Sequence, residues 1–383
     1  MKHFNRLFII RLCIIASIGP AIAGAQGNLS TQGFGYPQGQ LSTRALSLGG
    51  GTGELDQTTP LNPASSGLLQ TRTLMFQIEP EYRTFTANGA SARTTTARYP
   101  VIFAGVPFGD HLITTVANST LLDRSWSTST TKYSQVGPDS TLTTFNEASN
   151  GAINDLQLVE AWTNRTWLSI GAAIHGITGR NTVTTGRTFA DTSEFSAFSA
   201  SRVLSYSGTA ASIGVHLIAS TKGALGISYR KGGRLSARTN DSLIARGDVP
   251  DHFGVSLGYT GITGTLLTVR AAHDGWSSMA PMIESPTEKV HDTWDIGGGT
   301  EVTGPKFAGQ QLLIRGGFRT RSLPFEAAGS EVKEHTISLG SAMGMARGRM
   351  VFDVTGMRQF RSVTVSGLRE RAWTLSLSLT ARP

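Results

Sequence analysis

From Thr73 to the C-terminus the chain alternates apolar with small or polar residues in stretches of about ten, divided by connectors that are in turn short and long. Phe253, Val255, Leu257 and Tyr259 share one parity, and Gly254, Ser256 and Gly258 the other. After Gly261-Ile262-Thr263-Gly264 the pattern resumes with Leu267, Val269 and Ala271, and Trp373, Leu375, Leu377 and Leu379 repeat it near the end. A period of two puts successive side chains on opposite faces of a strand. One apolar face, one small or polar face and alternating connector lengths are the signature of a transmembrane β-barrel.

Read this way, the chain is all-β: an antiparallel barrel of about fourteen strands, from Thr73 to Phe85 through Arg369 to Ala381. Short turns follow the even strands, as at Pro107-Phe108-Gly109-Asp110, Thr163-Asn164-Arg165 and Ala346-Arg347-Gly348-Arg349. Long polar connectors follow the odd strands, the longest over 123–150 and 178–199. An even strand number leaves both termini on the short-turn side, which in known barrels is periplasmic. Trp162, Trp167, Trp276 and Trp294 are predicted to form membrane girdles, with Trp126 also at an outer strand end.

Composition agrees with a barrel and excludes helical membrane proteins. Charged residues are only 16 % of the chain, Gly contributes 45 residues, and mean hydropathy is −0.08. Past the N-terminus no run approaches the ~20 apolar residues of a membrane helix. Lys2, Arg6 and Arg11, the apolar stretch Leu7 to Ile18 and Ala23-Gly24-Ala25 predict a secretory leader over residues 1–25, cleaved before Gln26. The single cysteine, Cys13, lies within it, so no disulfide or thiolate metal site is expected afterwards. The net charge of +8 comes without a basic run interleaved with aromatics, which argues against nucleic-acid binding. Arg72, Arg83, Arg187, Arg234, Arg238, Arg319 and Arg321 read as a solvated rim, able to meet anionic lipid and lipopolysaccharide.

Residues 26–72 precede the barrel (73–383) and carry no strand pattern. They are rich in glycine yet contain Leu46, Leu48, Leu55, Leu61, Leu68 and Leu69. Such a segment is suited to filling the lumen, since a ring of this strand number leaves an interior to be occupied.

Leu41-Ser-Thr-Arg-Ala-Leu-Ser-Leu-Gly-Gly50 followed by Thr59-Pro-Leu-Asn-Pro-Ala64 resembles the FadL-type outer-membrane transporters of hydrophobic compounds (the OMPP1/FadL/TodX family). Further resemblances follow in family order at His273-Asp-Gly-Trp-Ser277, Asp292-Thr-Trp294, Leu313-Ile-Arg-Gly-Gly-Phe318 with Pro324, and His335-Thr-Ile-Ser-Leu-Gly340. The resemblance implies a fourteen-stranded barrel plugged by an N-terminal hatch, with Arg44, Gly49, Gly50, Asn62, Pro63 and Ala64 as hatch residues. It also implies a hydrophobic small-molecule ligand entering from outside and leaving sideways through the wall. The chain departs from the family in ending Thr380-Ala-Arg-Pro383 without a terminal aromatic, and in its compact connectors.

No catalytic or metal site, and no cofactor, is expected. Gly49-Gly-Gly-Thr-Gly53 lacks the Lys-Ser/Thr ending of a phosphate loop, the histidines are scattered, and no Gly-x-Ser-x-Gly elbow occurs. His291, Asp292 and Asp295 do not share a strand face. The reading is therefore an exported, non-enzymatic outer-membrane channel for passive uptake of hydrophobic or amphipathic molecules, gated by its hatch. The alternatives are a barrel that docks a secretion or surface-assembly partner, and an open aqueous porin.

Overall fold

The computed structural model describes residues 34–383 apart from 88–89, 137–138, 191–193, 221, 283–288, 308, 328 and 364–367. The predicted leader and its cleavage site lie outside the described residues.

The chain closes into a 14-strand antiparallel barrel. The strands are β1 Thr73–Ala87, β2 Ala90–Arg98 with Val101–Phe108, β3 Leu112–Asp123 with Trp126–Val136, β4 Asp139–Thr163 and β5 Leu168–Phe189. Next come β6 Phe198–Ser220, β7 Gly223–Thr239, β8 Ser242–Asp248 with His252–Ile262, and β9 Thr265–Asp274. The ring is completed by β10 Thr293–Phe307, β11 Gln310–Ala327, β12 Ser330–Met345, β13 Met350–Ser362 and β14 Arg369–Ala381. Closure runs from Ala381↔Leu74 to Arg369↔Thr86 between β14 and β1. Ring closure gives each strand a ladder partner on both sides over at least part of its length, the condition for spanning lipid with strands.

The alternation has the direction the sequence predicts. Phe76, Ile102, Leu156, Leu158, Ile174, Ile213, Leu257, Val269, Ile337, Leu339 and Trp373 are exposed on the outside, while Gln77, Ser256, Thr268, Ser338 and Ser376 between them are buried. An exposed apolar belt around a whole molecule is far beyond what a soluble monomer shows, and lipid is the solvent that suits it. No helix among the described residues is long and apolar enough to cross a membrane.

The two longest predicted connectors are largely strand instead. β4, β5 and β6 run 25, 22 and 23 residues, well past the ~9–11 that cross a bilayer. The stretch read as a loop over 123–150 is a hairpin, Trp126↔Ser149 to Val136↔Asp139, and β5 and β6 continue the sheet to Arg187↔Phe198. These extensions are Ser/Thr-rich on both faces, so hydrophobic alternation could not reveal them.

The girdle prediction divides. Trp162, Trp167 and Trp294 are exposed, at 41 %, 55 % and 56 %. Trp276 is not on the outer surface: at 3 % exposure it packs edge-on against Phe34, ring centroids 5.9 Å apart. Gly275, whose N–H donates to Asp251 O, turns the chain inward after β9, and a 3₁₀ segment, Trp276–Met282, folds into the barrel mouth.

The belt makes a sharp prediction. Leu257→Arg, mid-strand and exposed, should cost roughly 2–4 kcal/mol of stability on refolding into lipid vesicles. Ordinary soluble-surface behaviour, within about 0.5 kcal/mol, would contradict a lipid-facing position.

Candidate functional site

Residues 34–69 lie inside the ring, almost wholly buried. A two-residue strand, Tyr36–Pro37, pairs with Asp123 and Leu122 of β3. A five-residue helix, α1 (Thr43–Ser47), packs on β11 to β14, and a 3₁₀ turn, Pro63–Leu68, packs on β3 to β6. The segment therefore bridges opposite walls.

Local sequence explains both pieces. Ser42 caps α1, its Oγ accepting from Ala45 N at 3.1 Å. Gly49 and Gly50 end it at φ +62° and +83°, where Gly50 N reaches back to Ala45 O at 2.8 Å. Asn62 caps the 3₁₀ turn by accepting from Ala64 N at 3.0 Å, and its amide donates to Glu54 O and to Val215 O on β6. Pro63 sits at the first turn, where a missing N–H costs nothing. Ser169 Oγ donates to Ala64 O at 2.7 Å. Arg44 leaves α1 for Glu301 of β10, Nη2 to Oε1 3.2 Å. The six residues picked out by resemblance thus divide between the two ends of the segment.

The wall meets the segment with glycine. A Cβ on Gly171 would lie 2.6 Å from Pro63 C, on Gly299 2.8 Å from Leu48 Cα, and on Gly340 2.6 Å from Ser47 Cβ. Gly214, Gly226, Gly297 and Gly317 face the same segment at least as closely. The small parity of the strands is thus partly an imprint of what fills the lumen.

Charge does the rest, through residues that sequence reasoning missed or misplaced. Glu54 accepts from Arg270 Nε at 2.9 and 3.0 Å and from Ser256 Oγ at 2.5 Å. Arg270 also donates to Asp295, which Arg319 grips with two nitrogens at 2.7 and 2.6 Å. Gln40 of the segment donates to Asp155 and Ser119 and accepts from Arg230 Nη1 at 2.9 Å. Arg83, Arg319 and Arg321, read from sequence as rim, are buried in the lumen. Their strands extend further outward than predicted, and an inward arginine on a strand has the same parity as a rim one. Asp295 belongs to this ion-pair lattice, and no cluster suited to a metal occurs among the described residues.

Asp155, His175 and Ser212 form a relay across β4, β5 and β6, with His175 Nδ1 2.8 Å from Asp155 Oδ1 and Nε2 2.8 Å from Ser212 Oγ. The order is that of a hydrolytic triad, but here Gln40 and Arg230 share the carboxylate and the serine is 5 % exposed against the wall. The relay's evident work is holding Gln40.

Above this polar layer, on the long-connector side, the lumen is apolar. Leu122, Ile153, Ile177, Leu204, Leu235 and Val249 from β3 to β7 and the β8 bend form one cluster with Phe34, Leu323 and Phe325, and Trp276, Met279 and Met282 cover it. Cavities within the plugged layer are about 20 and 30 Å³, while one of about 260 Å³ opens on the short-turn side beside Arg44, Gln57 and His216.

Among the described residues the wall is interrupted between the outer parts of β2 and β3. The β2–β3 ladder runs from Phe108↔Leu112 to Val101↔Ser119, extended by Thr120 N to Pro100 O at 3.0 Å. Beyond it Ala90–Arg98 is registered to β1 and Trp126–Val136 to β4, and among the described residues no ladder joins these two. Arg98 and Asp123 pair across the top of the joined part, Nε to Oδ2 2.6 Å. Tyr36–Pro37 abuts this point.

A closed membrane barrel whose own N-terminal segment fills its lumen is a plugged outer-membrane barrel. Within that class the chain has the fold of the FadL-type channels. It is similar to a FadL homologue of Pseudomonas aeruginosa, with 13 % identity, 91 % of this chain and 99 % of that one covered, and TM-score 0.63. It is similar also to the toluene transporter TodX of Pseudomonas putida (12 %, 88 % and 96 %, 0.58) and to the monoaromatic hydrocarbon channel CymD (12 %, 94 % and 99 %, 0.54). Neither a family model nor a curated protein sequence matches the chain.

Glu54 sets a pH dependence for plug docking. Burial alone raises its carboxyl, but Arg270, with His252, outweighs burial and brings it from 4.5 down to about 2. A carboxyl depressed on folding contributes stability above pH 4.5 that is lost as pH falls toward 2. Glu54→Gln should cost roughly 3 kcal/mol at neutral pH and flatten the fall in thermal midpoint below pH 4.5. An unaltered acid profile would show that this pair does not hold the plug.

Proposed function

We propose that this chain is an outer-membrane channel for passive uptake of hydrophobic or amphipathic small molecules, gated by its N-terminal segment. The observation that carries the reading is the close-packed apolar cluster on the long-connector side, above a polar plug. A greasy solute leaving the outer surface gains apolar contact by parting that cluster and meets charge beneath it. Axial passage straight through the ion-pair lattice would strand the solute among guanidiniums and carboxylates. The interrupted β2–β3 seam supports a sideways exit into lipid, and Tyr36–Pro37 lies where movement of the plug would widen it. The kinship of fold with TodX and CymD, channels named for aromatic hydrocarbons, points to the same solute class. No energy source is needed: ligand binding shifts the plug between docked and displaced states.

The measurement is uptake of toluene or a labelled fatty acid into vesicles holding the purified chain. Thr43→Cys in the plug and Ser376→Cys on β14 replace hydroxyls whose oxygens lie 2.9 Å apart, so their sulfurs are a small rotation from the ~2.05 Å of a disulfide. Oxidation should cut uptake at least about tenfold, with recovery on reduction. Uptake indifferent to the lock would sink hatch gating. Absence of uptake in the reduced protein would sink the channel itself.

A further inference from the structure

Tyr36 occupies a setting built for a phenol. The guanidinium carbons of Arg83, Arg98, Arg321 and Arg361 lie 5.3, 4.9, 4.9 and 4.7 Å from its ring centroid. Its hydroxyl accepts from Arg321 Nη2 at 2.5 Å and Arg361 Nη2 at 3.0 Å, and donates to Glu334 Oε2 at 2.9 Å. The aromatic quadrupole, the oxygen lone pairs and the single hydroxyl proton each have a partner. Every one of those partners comes from the wall, on β1, β2, β11, β12 and β13. Only the occupant comes from the plug.

The charge balance says which ligand fits. The four arginines are matched by four carboxylates, Glu81, Glu334, Glu370 and Asp123, that pair with them directly. An added carboxylate would unbalance the set and place its oxygens against Glu334. A neutral hydroxyl gives that oxygen a proton and leaves the balance intact. An alkane or toluene would leave Arg321 Nη2 without its partner in a buried site, and would take one partner each from Arg361 Nη2 and Glu334 Oε2.

The setting is also exchangeable. Both amide atoms of Gln38, Arg98 Nη2 and Glu370 Oε2 are buried with no protein partner. A cavity of about 20 Å³ lined by Tyr36, Gln38, Arg98 and Arg321 adjoins them, large enough for about one water. On the other side Tyr36 is contiguous with Phe34, Trp276 and the rest of the apolar cluster.

We propose that this arginine cage is a binding site for neutral monocyclic phenols, occupied at rest by Tyr36 and entered by displacing it. The proposal relies on the channel reading for the route of arrival, but binding can be measured without transport. The test uses the full chain in detergent with a reporter cysteine, Gln38→Cys, at a position now 8 % exposed. 4-Methylphenol, the tyrosine side chain freed of its backbone, should raise maleimide labelling of that cysteine about tenfold, roughly the worth of one charge-assisted hydrogen bond. Toluene and decanoate at equal free concentration should change it less than about twofold. In the Tyr36→Phe background, where the resident ring has lost its hydroxyl bonds, half-maximal labelling should need about tenfold less 4-methylphenol. An equal response to toluene or decanoate, no response to 4-methylphenol, or an unshifted Tyr36→Phe curve would each overturn the cage as a phenol site. Toluene uptake could persist in every one of those cases, so the channel reading would stand or fall separately.

Discussion

The structure depends on one constraint: ionised side chains walled off from lipid by a single sheet have only each other and the plug for solvent. A buried ion pair broken on one side leaves an uncompensated charge, which costs more than the intact pair contributes. The lumen of this barrel therefore accepts arginines only as a lattice, in which Arg361 reaches Glu334 and Glu370, Arg321 shares Glu334, and Arg270 joins Asp295 to Glu54 of the plug. Docking the N-terminal segment completes that lattice. The wall and the plug are electrostatically one body, although among the described residues of the segment only Tyr36 and Pro37 join the sheet.

From that coupling comes the division of the interior into layers. The charged layer is where the segment bridges the barrel, and the apolar cluster that includes Trp276 lies above it. In the uptake route proposed above, a solute that parts the cluster meets a floor it cannot cross without rearranging charges, and beside that floor no ladder joins the outer parts of β2 and β3. On that proposal, selectivity and direction of exit follow from the order of these layers, before any particular ligand is considered.

Much of this was legible in the sequence. Strand number, closure and the outward face came from residues such as Leu257 and Trp373, because lipid imposes one chemistry on every other position. The lumen imposes no single chemistry. Glycine at 171 or 299, arginine at 319 and glutamate at 334 all satisfy "small or polar", and only the third dimension separates a glycine facing backbone from an arginine facing a carboxylate. Trp276 misled because a tryptophan just past a strand has the same signature whether the chain then turns toward lipid or inward. Tyr36 lay in a Gly/Gln-rich stretch without period, so nothing marked it. Glycines recurring on the inward parity of successive strands were the unused signal that something backbone-thick lies against the wall.

Those inward glycines carry a consequence for assembly. A sheet that has given up side-chain volume at its waist cannot collapse on itself there, so the barrel has no core of its own at that level. The core at that level comes from the N-terminal segment, and the ladder that closes the ring, β14 on β1, joins residues as far apart as Leu74 and Ala381. Closing the ring around the segment avoids threading it through a finished one. On the gating proposed above, assembly and opening use the same joint in opposite senses: docking the segment fills the interior, and each opening partly undoes that step.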